Sequence, residues 1–244
     1  MRSPSASEIL EVWERGLTQS PVQRALELLA PVCPEASSVS LSGLSIGRRD
    51  AELFALREQL FGPEMAAVAA CPQCGARLDL TLNASEMRSC CPPELEDNVA
   101  LTLAGYELQF RLPNSGDLAD VLKWNDSDGG RYRLVSLCFL SAQRDGAPVG
   151  FDRLPDEVLN AVSEQMASAD PLADIQLGLC CPLCRHCWRA AFDIVSFLWR
   201  EIESAAGRLL RDVHTLASTY GWPEKDILAL SPVRRQFYLT LTGI

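Results

Sequence analysis

Two short cysteine motifs carry the strongest chemical signal in this sequence. Cys71 and Cys74 lie in one C-P-x-C stretch, and Cys181 and Cys184 lie in another. The C-x2-C spacing lets both sulfurs of a motif face one ion while the backbone turns between them, and four thiolates complete the tetrahedral shell of a closed structural zinc site. The sequence therefore predicts one structural Zn2+ per chain, bound by these four cysteines.

The two motifs are widely separated, with 106 residues between Cys74 and Cys181. An ordinary zinc ribbon has far fewer residues between its cysteine pairs. We therefore expect an inserted region between the motifs, whose two ends the metal ties together.

The second motif offers more candidate ligands than one site needs. Cys180, Cys187 and His186 lie next to the predicted pair, and their spacing allows any of them to replace a predicted ligand. We favour Cys181 with Cys184 because this pair repeats the C-P-x-C form of the first motif. Cys180 then lies on a strand, and Cys187 packs beside the site. The alternative without a metal is four buried free thiols.

The same motifs argue against catalysis. A catalytic zinc keeps one position open for water, and four cysteines leave none. The two histidines, His186 and His214, do not lie in H-E-x-x-H or H-x-E spacing, and the sequence has no glycine-rich nucleotide loop. Gly43-Leu44-Ser45-Ile46-Gly47 has the G-x-S-x-G form, and Gly43 and Gly47 belong to a predicted linker. We therefore expect neither enzymatic activity nor a small-molecule substrate.

Composition narrows the class of partner. The formal net charge is −10 and the isoelectric point is about 4.8, and no basic run is longer than an Arg-Arg pair. Such a chain repels the phosphate backbone of nucleic acids. A zinc-ribbon regulator that binds nucleic acid is therefore the second hypothesis, and a protein partner is the first.

Cysteine placement also predicts the compartment. Clustering is typical of metal binding, whereas a disulfide framework spreads cysteines through loops, so we expect synthesis in a reducing cytoplasm. The first residues contain no apolar signal core. No stretch reaches the roughly 18 apolar residues of a membrane span. The clustered cysteines are Cys71, Cys74, Cys180, Cys181, Cys184 and Cys187.

Periodicity and turn residues predict the elements that position these motifs. Residues 31–47 are predicted to be a linker with one alternating run, 39–41. The predicted strands cover residues 78–82, 99–103, 106–112, 175–179 and 186–192. The predicted helices are two within residues 5–30, then 48–60, 117–124, 131–143, 155–168, a long helix from about 196 to 220, 224–230 and 231–241.

These elements predict an α+β fold with three regions. Residues 1–62 form an N-terminal helical region. Residues 63–195 form a small antiparallel zinc-ribbon-like sheet, tied by the four-cysteine site and carrying a mixed α/β insertion at 75–180. Residues 196–244 form a C-terminal unit of a long helix and a helical hairpin.

The C-terminal unit is also the predicted partner surface. Six of the 17 aromatic residues fall in the last 48 positions. Aromatic residues and arginine are enriched at the centres of protein interfaces. We predict that Arg235, Phe237 and Tyr238 contact a protein partner, because few elements follow them to cover the terminal helix.

Several stretches, spread from about residue 47 to the end of the chain, resemble a known group of proteins. The most specific block contains Val213-His214, Tyr220-Gly221-Trp222, Arg234-Arg235 and Phe237-Tyr238-Leu239. The others are Gly47-Arg48-Arg49-Asp50, Leu60-Phe61-Gly62, Cys71-Pro72-Gln73-Cys74-Gly75, Phe110-Arg111-Leu112-Pro113, Asp117-Leu118, Asp170-Pro171, Cys181-Pro182-Leu183-Cys184, Phe192-Asp193-Ile194 and Phe197-Leu198-Trp199 with Glu201. Together they resemble zinc-ribbon-containing proteins encoded with contractile tail machines and related to T4-type phage baseplate proteins.

The resemblance implies a non-enzymatic protein that is built into a baseplate or assists its assembly, in a phage tail or a contractile injection system. Its implied partners are protein subunits of the hub, wedge or tail tube. The implied location is the bacterial cytoplasm during assembly, with retention in the assembled particle for a permanent subunit. A permanent subunit and an assembly chaperone both fit the resemblance.

Overall fold

Helices alternate with small antiparallel hairpins along most of the chain. The computed structural model describes residues 2–33, 38–90, 98–123 and 129–243. The helices are α1 (Ala6–Gly16), α2 (Pro21–Leu29), α3 (Ser38–Gly43), α4 (Ile46–Phe61), α5 (Ala84–Ser89), α6 (Ser115–Leu122), α7 (Gly130–Cys138), α8 (Asp156–Ala169), α9 (Ile194–Tyr220), α10 (Glu224–Ala229) and α11 (Pro232–Leu241). The strands are β1 (Glu64–Ala70), β2 (Arg77–Asn83), β3 (Asn98–Leu103), β4 (Tyr106–Arg111), β5 (Phe139–Arg144), β6 (Ala147–Pro148), β7 (Ile175–Cys180) and β8 (Cys187–Phe192).

One compact unit combines two distant segments of the chain, Met1–Glu35 and Ile194–Ile244. Helix α9 is its centre, because α1, α2, α10 and α11 all pack on it. Gly16 lies so close to Trp199 that a Cβ at residue 16 would come within 2.2 Å of a ring carbon. The Arg24 guanidinium lies 4.5 Å from the centre of the same ring. Helix α9, where a long helix is predicted from about 196 to 220, supplies buried apolar residues to this core, namely Leu198, Ile202, Leu209 and Leu216.

The other compact unit, Ala36–Asp193, contains antiparallel sheets only among the residues that the structure describes. The largest sheet has the order β3-β4-β5-β6. The turn Ala104-Gly105, between the strands predicted at 99–103 and 106–112, joins β3 to β4 as a hairpin. Both turn residues have positive φ, 51° and 78°, which suits a two-residue hairpin connection. Helix α8 packs on this sheet, and their core includes Leu108, Phe110, Cys138, Val158 and Val162. The strands β1–β2 and β7–β8 form two separate hairpins.

The predicted helix over residues 131–143 is wrong in its second half. Helix α7 ends at Cys138, and the chain continues as β5, which pairs with β4. The ring of Phe139 lies edge-on to that of Phe110, with 5.5 Å between the ring centres. Strand pairing and ring packing therefore outweigh the weak local preference for a helix. The turn Asp145-Gly146, with φ of 51° and 80°, is the hairpin signal that marks the end of β5.

Further elements lie where no regular structure was predicted, among them α3 and β1. Residues 38–43 form α3 inside the predicted linker, so the run 39–41 is helical and not extended. Residues 64–70 form β1 directly before the first cysteine motif. Alanine is a poor strand former, and β1 contains four of them. Its pairing with β2 supplies the order that its own sequence does not specify.

Packing joins elements that the sequence-based division kept apart. Helices α1 and α2 pack on α9, although the division placed them in separate regions. The predicted boundaries near residues 62 and 195 follow the end of the helix predicted at 48–60 and the start of the long helix predicted from about 196, and they stay a prediction. The mixture of helices and small antiparallel sheets agrees with the predicted α+β class.

Candidate metal centre

Each cysteine motif occupies the turn of an antiparallel hairpin. The last pair of residues before the first turn is Ala70 and Arg77, on β1 and β2. The last pair before the second turn is Cys180 and Cys187, on β7 and β8. The order of strand, cysteine turn and strand, predicted for the second motif, therefore holds for both.

The two turns are closed by the same backbone hydrogen bonds. In each turn, the N–H of the first cysteine donates to the carbonyl of the residue five positions later, at 2.8 Å. The carbonyl of the same cysteine accepts from the N–H of the residue four positions later, at 2.9 Å. The fourth residue after the first cysteine has positive φ, 74° and 61° respectively, which this tight return of the chain requires. The residues are Cys71, Gly75 and Ala76 in one turn and Cys181, Arg185 and His186 in the other.

The two turns bring four sulfur atoms together. The Sγ atoms of Cys71 and Cys184 are 3.6 Å apart, and so are those of Cys74 and Cys181. All four lie within 4.8 Å of one another. Four sulfurs at 2.3 Å from a central ion would form a tetrahedron with edges of about 3.8 Å. The spacing therefore fits a shared metal ion, and it is too long for a disulfide, whose sulfurs lie about 2.05 Å apart.

Backbone N–H groups of the turns point at the sulfurs. The N–H of Cys184 lowers the pKa of Cys181 to about 7. The Ala76 N–H lowers the pKa of Cys74, but the neighbouring thiols and burial outweigh it and raise that pKa to about 12. The pKa of Cys184 is likewise raised, because burial and two neighbouring thiols outweigh the N–H of His186. Crowded thiols disfavour one another's ionisation, and a cation at their centre would remove that repulsion.

The alternative ligands lie outside this cluster. Cys180 and Cys187 form a disulfide across the last pair of the β7–β8 hairpin. This corrects the expectations that Cys187 is a packing residue and that the clustering of all six cysteines reflects metal binding, and it removes both thiols from the candidate ligand set. A disulfide is also unusual in the reducing cytoplasm that the clustering predicted. The ring of His186 stacks on that of Trp188. The positions of Cys180 and Cys187, directly outside the second turn, were the available sequence signal for their pairing. Cys91 lies outside the described residues.

Mutation can distinguish the cysteines of the four-sulfur cluster from those of the disulfide. Changing both Cys180 and Cys187 to serine is expected to leave one bound metal per chain, because neither sulfur belongs to the four-sulfur cluster. Elemental analysis of the purified double variant checks this. Loss of the metal in this variant would return one of the two residues to the ligand set.

The residues predicted to contact a partner have different environments. Arg235 is only 8% exposed, and its Nε donates to Asp212 Oδ2 at 3.2 Å. The ring of Tyr238 is half-buried and lies edge-on to that of Trp222, with 4.9 Å between the ring centres. Phe237 is 61% exposed. The prediction assumed that all three side chains are accessible, and this holds fully for Phe237 alone.

Across the part of the chain that the structure describes, no helix has the length and apolar character needed to span a membrane. Comparison of the chain with family models, with curated proteins and with solved structures gives no match.

Proposed function

We propose that the four cysteines bind one structural zinc ion and that the two hairpins form a zinc-ribbon-like unit around it. Four soft thiolates in a tetrahedron favour zinc or iron among the common metals, and a closed all-cysteine shell is typical of structural zinc. The observation that carries this proposal is the assembly of the shell from two distant turns with the same backbone geometry. The metal would fasten the two ends of the inserted region to each other.

The chain as a whole is proposed to be a non-enzymatic structural or assembly component of the baseplate of a contractile tail or contractile injection system. The sequence resemblance supports this assignment, and the acidic charge supports protein partners over nucleic acid. Hub, wedge or tail-tube subunits are the proposed partners. Assembly would take place in the bacterial cytoplasm.

An exposed apolar face on α11 supports a protein partner. Val233, Phe237 and Leu241 are spaced four residues apart, and they are 80%, 61% and 61% exposed. We call these three residues the α11 stripe. Residues at this spacing share one side of a helix, which is the pattern of an amphipathic helix that docks in a groove. The ion pair of Arg235 with Asp212 and the edge-on contact of Tyr238 with Tyr220 hold the helix on α9, so the stripe is presented on a fixed element.

Changing Phe237 and Leu241 together to alanine is expected to prevent the protein from joining contractile particles. Each change removes a large apolar side chain that is exposed before binding, so stability should change by less than about 0.5 kcal/mol, while an aromatic interface anchor is worth about 2 kcal/mol or more. The measurement is electron microscopy and subunit composition of particles from cells in which the double variant replaces the native protein.

The matched control changes Gln236 and Thr240 together to alanine. Both residues are exposed on the same helix but lie outside the α11 stripe. This control is expected to support normal assembly. Normal particles in a strain that lacks the gene altogether would contradict the baseplate proposal. If particles are normal with the folded Phe237 and Leu241 double variant but not in the strain without the gene, only the assignment of the α11 stripe as the partner surface is contradicted.

A further inference from the structure

The disulfide between Cys180 and Cys187 lies on the solvent-facing side of the β7–β8 hairpin. Both cysteines are exposed, and along each strand exposed residues alternate with half-buried ones. Gly178 and Arg189 form the next pair on the same face. A Cβ added at Gly178 would meet no atom of the described chain within 4 Å. Open space therefore lies beside the disulfide, and a reagent can approach the two sulfurs from that side.

The second cysteine turn does not need this disulfide in order to form. The first cysteine turn has Ala70 and Arg77 at the corresponding last pair of its hairpin. It is nevertheless closed by the same two backbone hydrogen bonds, at the same distances of 2.8 and 2.9 Å. The geometry of the turn thus gives no reason for the bond, whereas a bond between exposed sulfurs is typical of a labile, regulatory disulfide.

The disulfide closes a covalent ring around part of the candidate metal site. The ring covers residues 180–187 and contains two of the four clustered cysteines, Cys181 and Cys184. Such a ring restricts the turn whenever no metal is bound. Opening the ring removes the restriction and frees two thiols. Cys187 then stands three positions after Cys184, in the same C-x2-C spacing as the two motifs, so the reduced turn offers an ion more than one set of sulfur ligands.

We propose that Cys180 and Cys187 are a redox-active pair that a dithiol protein reduces, and that reduction makes the metal of the four-cysteine cluster easier to release. The first half of this proposal concerns the disulfide alone, and the second half rests on the proposed zinc site. The oxidised chain holds the ion in one set of four thiols. The reduced chain has a less restricted turn and exchanges the ion among competing sets.

The reduction is a thiol–disulfide exchange. A thiolate of the partner dithiol attacks one sulfur of the pair, the bond between the Cys180 and Cys187 sulfurs breaks, and the released thiolate takes up a proton. The second thiol of the partner loses its proton and attacks the mixed disulfide, which frees the remaining cysteine as a thiolate that is protonated in turn. The chain gains two electrons and two protons, and the partner loses them and becomes a disulfide.

The first test follows the disulfide without reference to the metal. Full-length protein is equilibrated in glutathione buffers that range from fully oxidised to cytoplasmic composition. Free thiols are then alkylated, and mass spectrometry measures the reduced fraction of the Cys180–Cys187 pair. More than about half of the chains are expected to be reduced in the most reducing buffer. A pair that stays oxidised in every buffer is a structural disulfide, and this result would overturn the proposal.

Two tryptophan variants test the approach of a dithiol protein. Gly178→Trp places a large ring beside the disulfide, so it is expected to slow reduction by thioredoxin about tenfold and to keep reduction by the small phosphine TCEP within about twofold of the native rate. Thr81→Trp, on the exposed face of β2, is the control and is expected to leave both rates unchanged. Equal thioredoxin rates in the two variants would contradict the approach from the open side.

The second half of the proposal is tested by the rate at which zinc passes from the protein to a coloured chelator. Native protein reduced with TCEP is expected to release zinc about tenfold faster than oxidised native protein, because the turn has lost its covalent ring. The double variant Cys180→Ser with Cys187→Ser is expected to release zinc at a rate that TCEP does not change. Cys90→Ser removes another exposed thiol and is expected to keep the native response to TCEP.

The outcomes separate this proposal from the proposed function. Native protein that contains no zinc contradicts the zinc site, and the redox half is then decided by the glutathione titration alone. Native protein that binds zinc but releases it equally fast in its oxidised and reduced forms overturns the coupling. A response to TCEP that persists in the Cys180 and Cys187 double variant, or that disappears in Cys90→Ser, also overturns it, because other thiols would then be responsible.

Discussion

Replacing Cys74 or Cys184 with serine is expected to abolish binding of the single metal ion and to destabilise the Ala36–Asp193 unit by about 3 kcal/mol or more. The sulfur pairs of the cluster join residues 107 and 113 positions apart in the sequence, so loss of the metal releases a long loop and leaves three crowded thiols without an ion. Elemental analysis of protein purified without added metal should find about one zinc per native chain. Urea unfolding followed by circular dichroism measures the stability.

Cys90→Ser is the matched control for this prediction. Cys90 is exposed at the end of α5 and lies outside the cluster, so this variant is expected to keep both the metal and the native stability. A native metal content in Cys74→Ser and Cys184→Ser would contradict the proposed ligand set. Unchanged stability after complete removal of the metal by a chelator would contradict a structural role.

Replacing Gly47 with alanine is expected to destabilise the same unit by about 2 to 4 kcal/mol, because the new methyl group has no room. A Cβ at residue 47 would lie 1.8 Å from Asp170 Oδ1 and 2.6 Å from its Cγ. The carboxylate is buried and accepts the Gly47 N–H, so moving it breaks a hydrogen bond that joins residues 123 positions apart. Urea unfolding of the variant provides the measurement.

A double-mutant cycle with Asp170→Ala tests this explanation. Removing the carboxylate also removes the atoms that the new methyl group meets, so Gly47→Ala is expected to cost less in the Asp170→Ala background than in the native protein. Gly43→Ala is the control, because a Cβ at residue 43 meets nothing within 4 Å. Its expected effect is neutral or slightly stabilising. Equal costs of Gly47→Ala in both backgrounds would rule out the proposed clash.

Local signals in the sequence predicted most elements and the candidate ligands. Within residues 5–30, where two helices are predicted, Ser20 caps α2 and Pro21 opens it, because capping depends on backbone groups within a few residues. The Ala104-Gly105 turn fixed the β3–β4 hairpin for the same reason. The C-P-x-C spacing predicted two turns that each present a pair of sulfurs, since the geometry of such a turn lies within its own residues.

The tertiary structure decided the features that depend on residues far apart in the chain. Residues 139–144 became a strand because β4 offered a pairing edge, and the local sequence signalled only the Asp145-Gly146 turn at the end of this strand. The 8% exposure of Arg235 follows from its position against α9, which residues 232–241 alone do not specify. The hydrogen bond from the Gly47 N–H to Asp170 arises in the same way. A helix cap or a tight turn is settled by backbone energies within a few residues, whereas an edge pairing or a buried carboxylate is settled only when distant segments pack together.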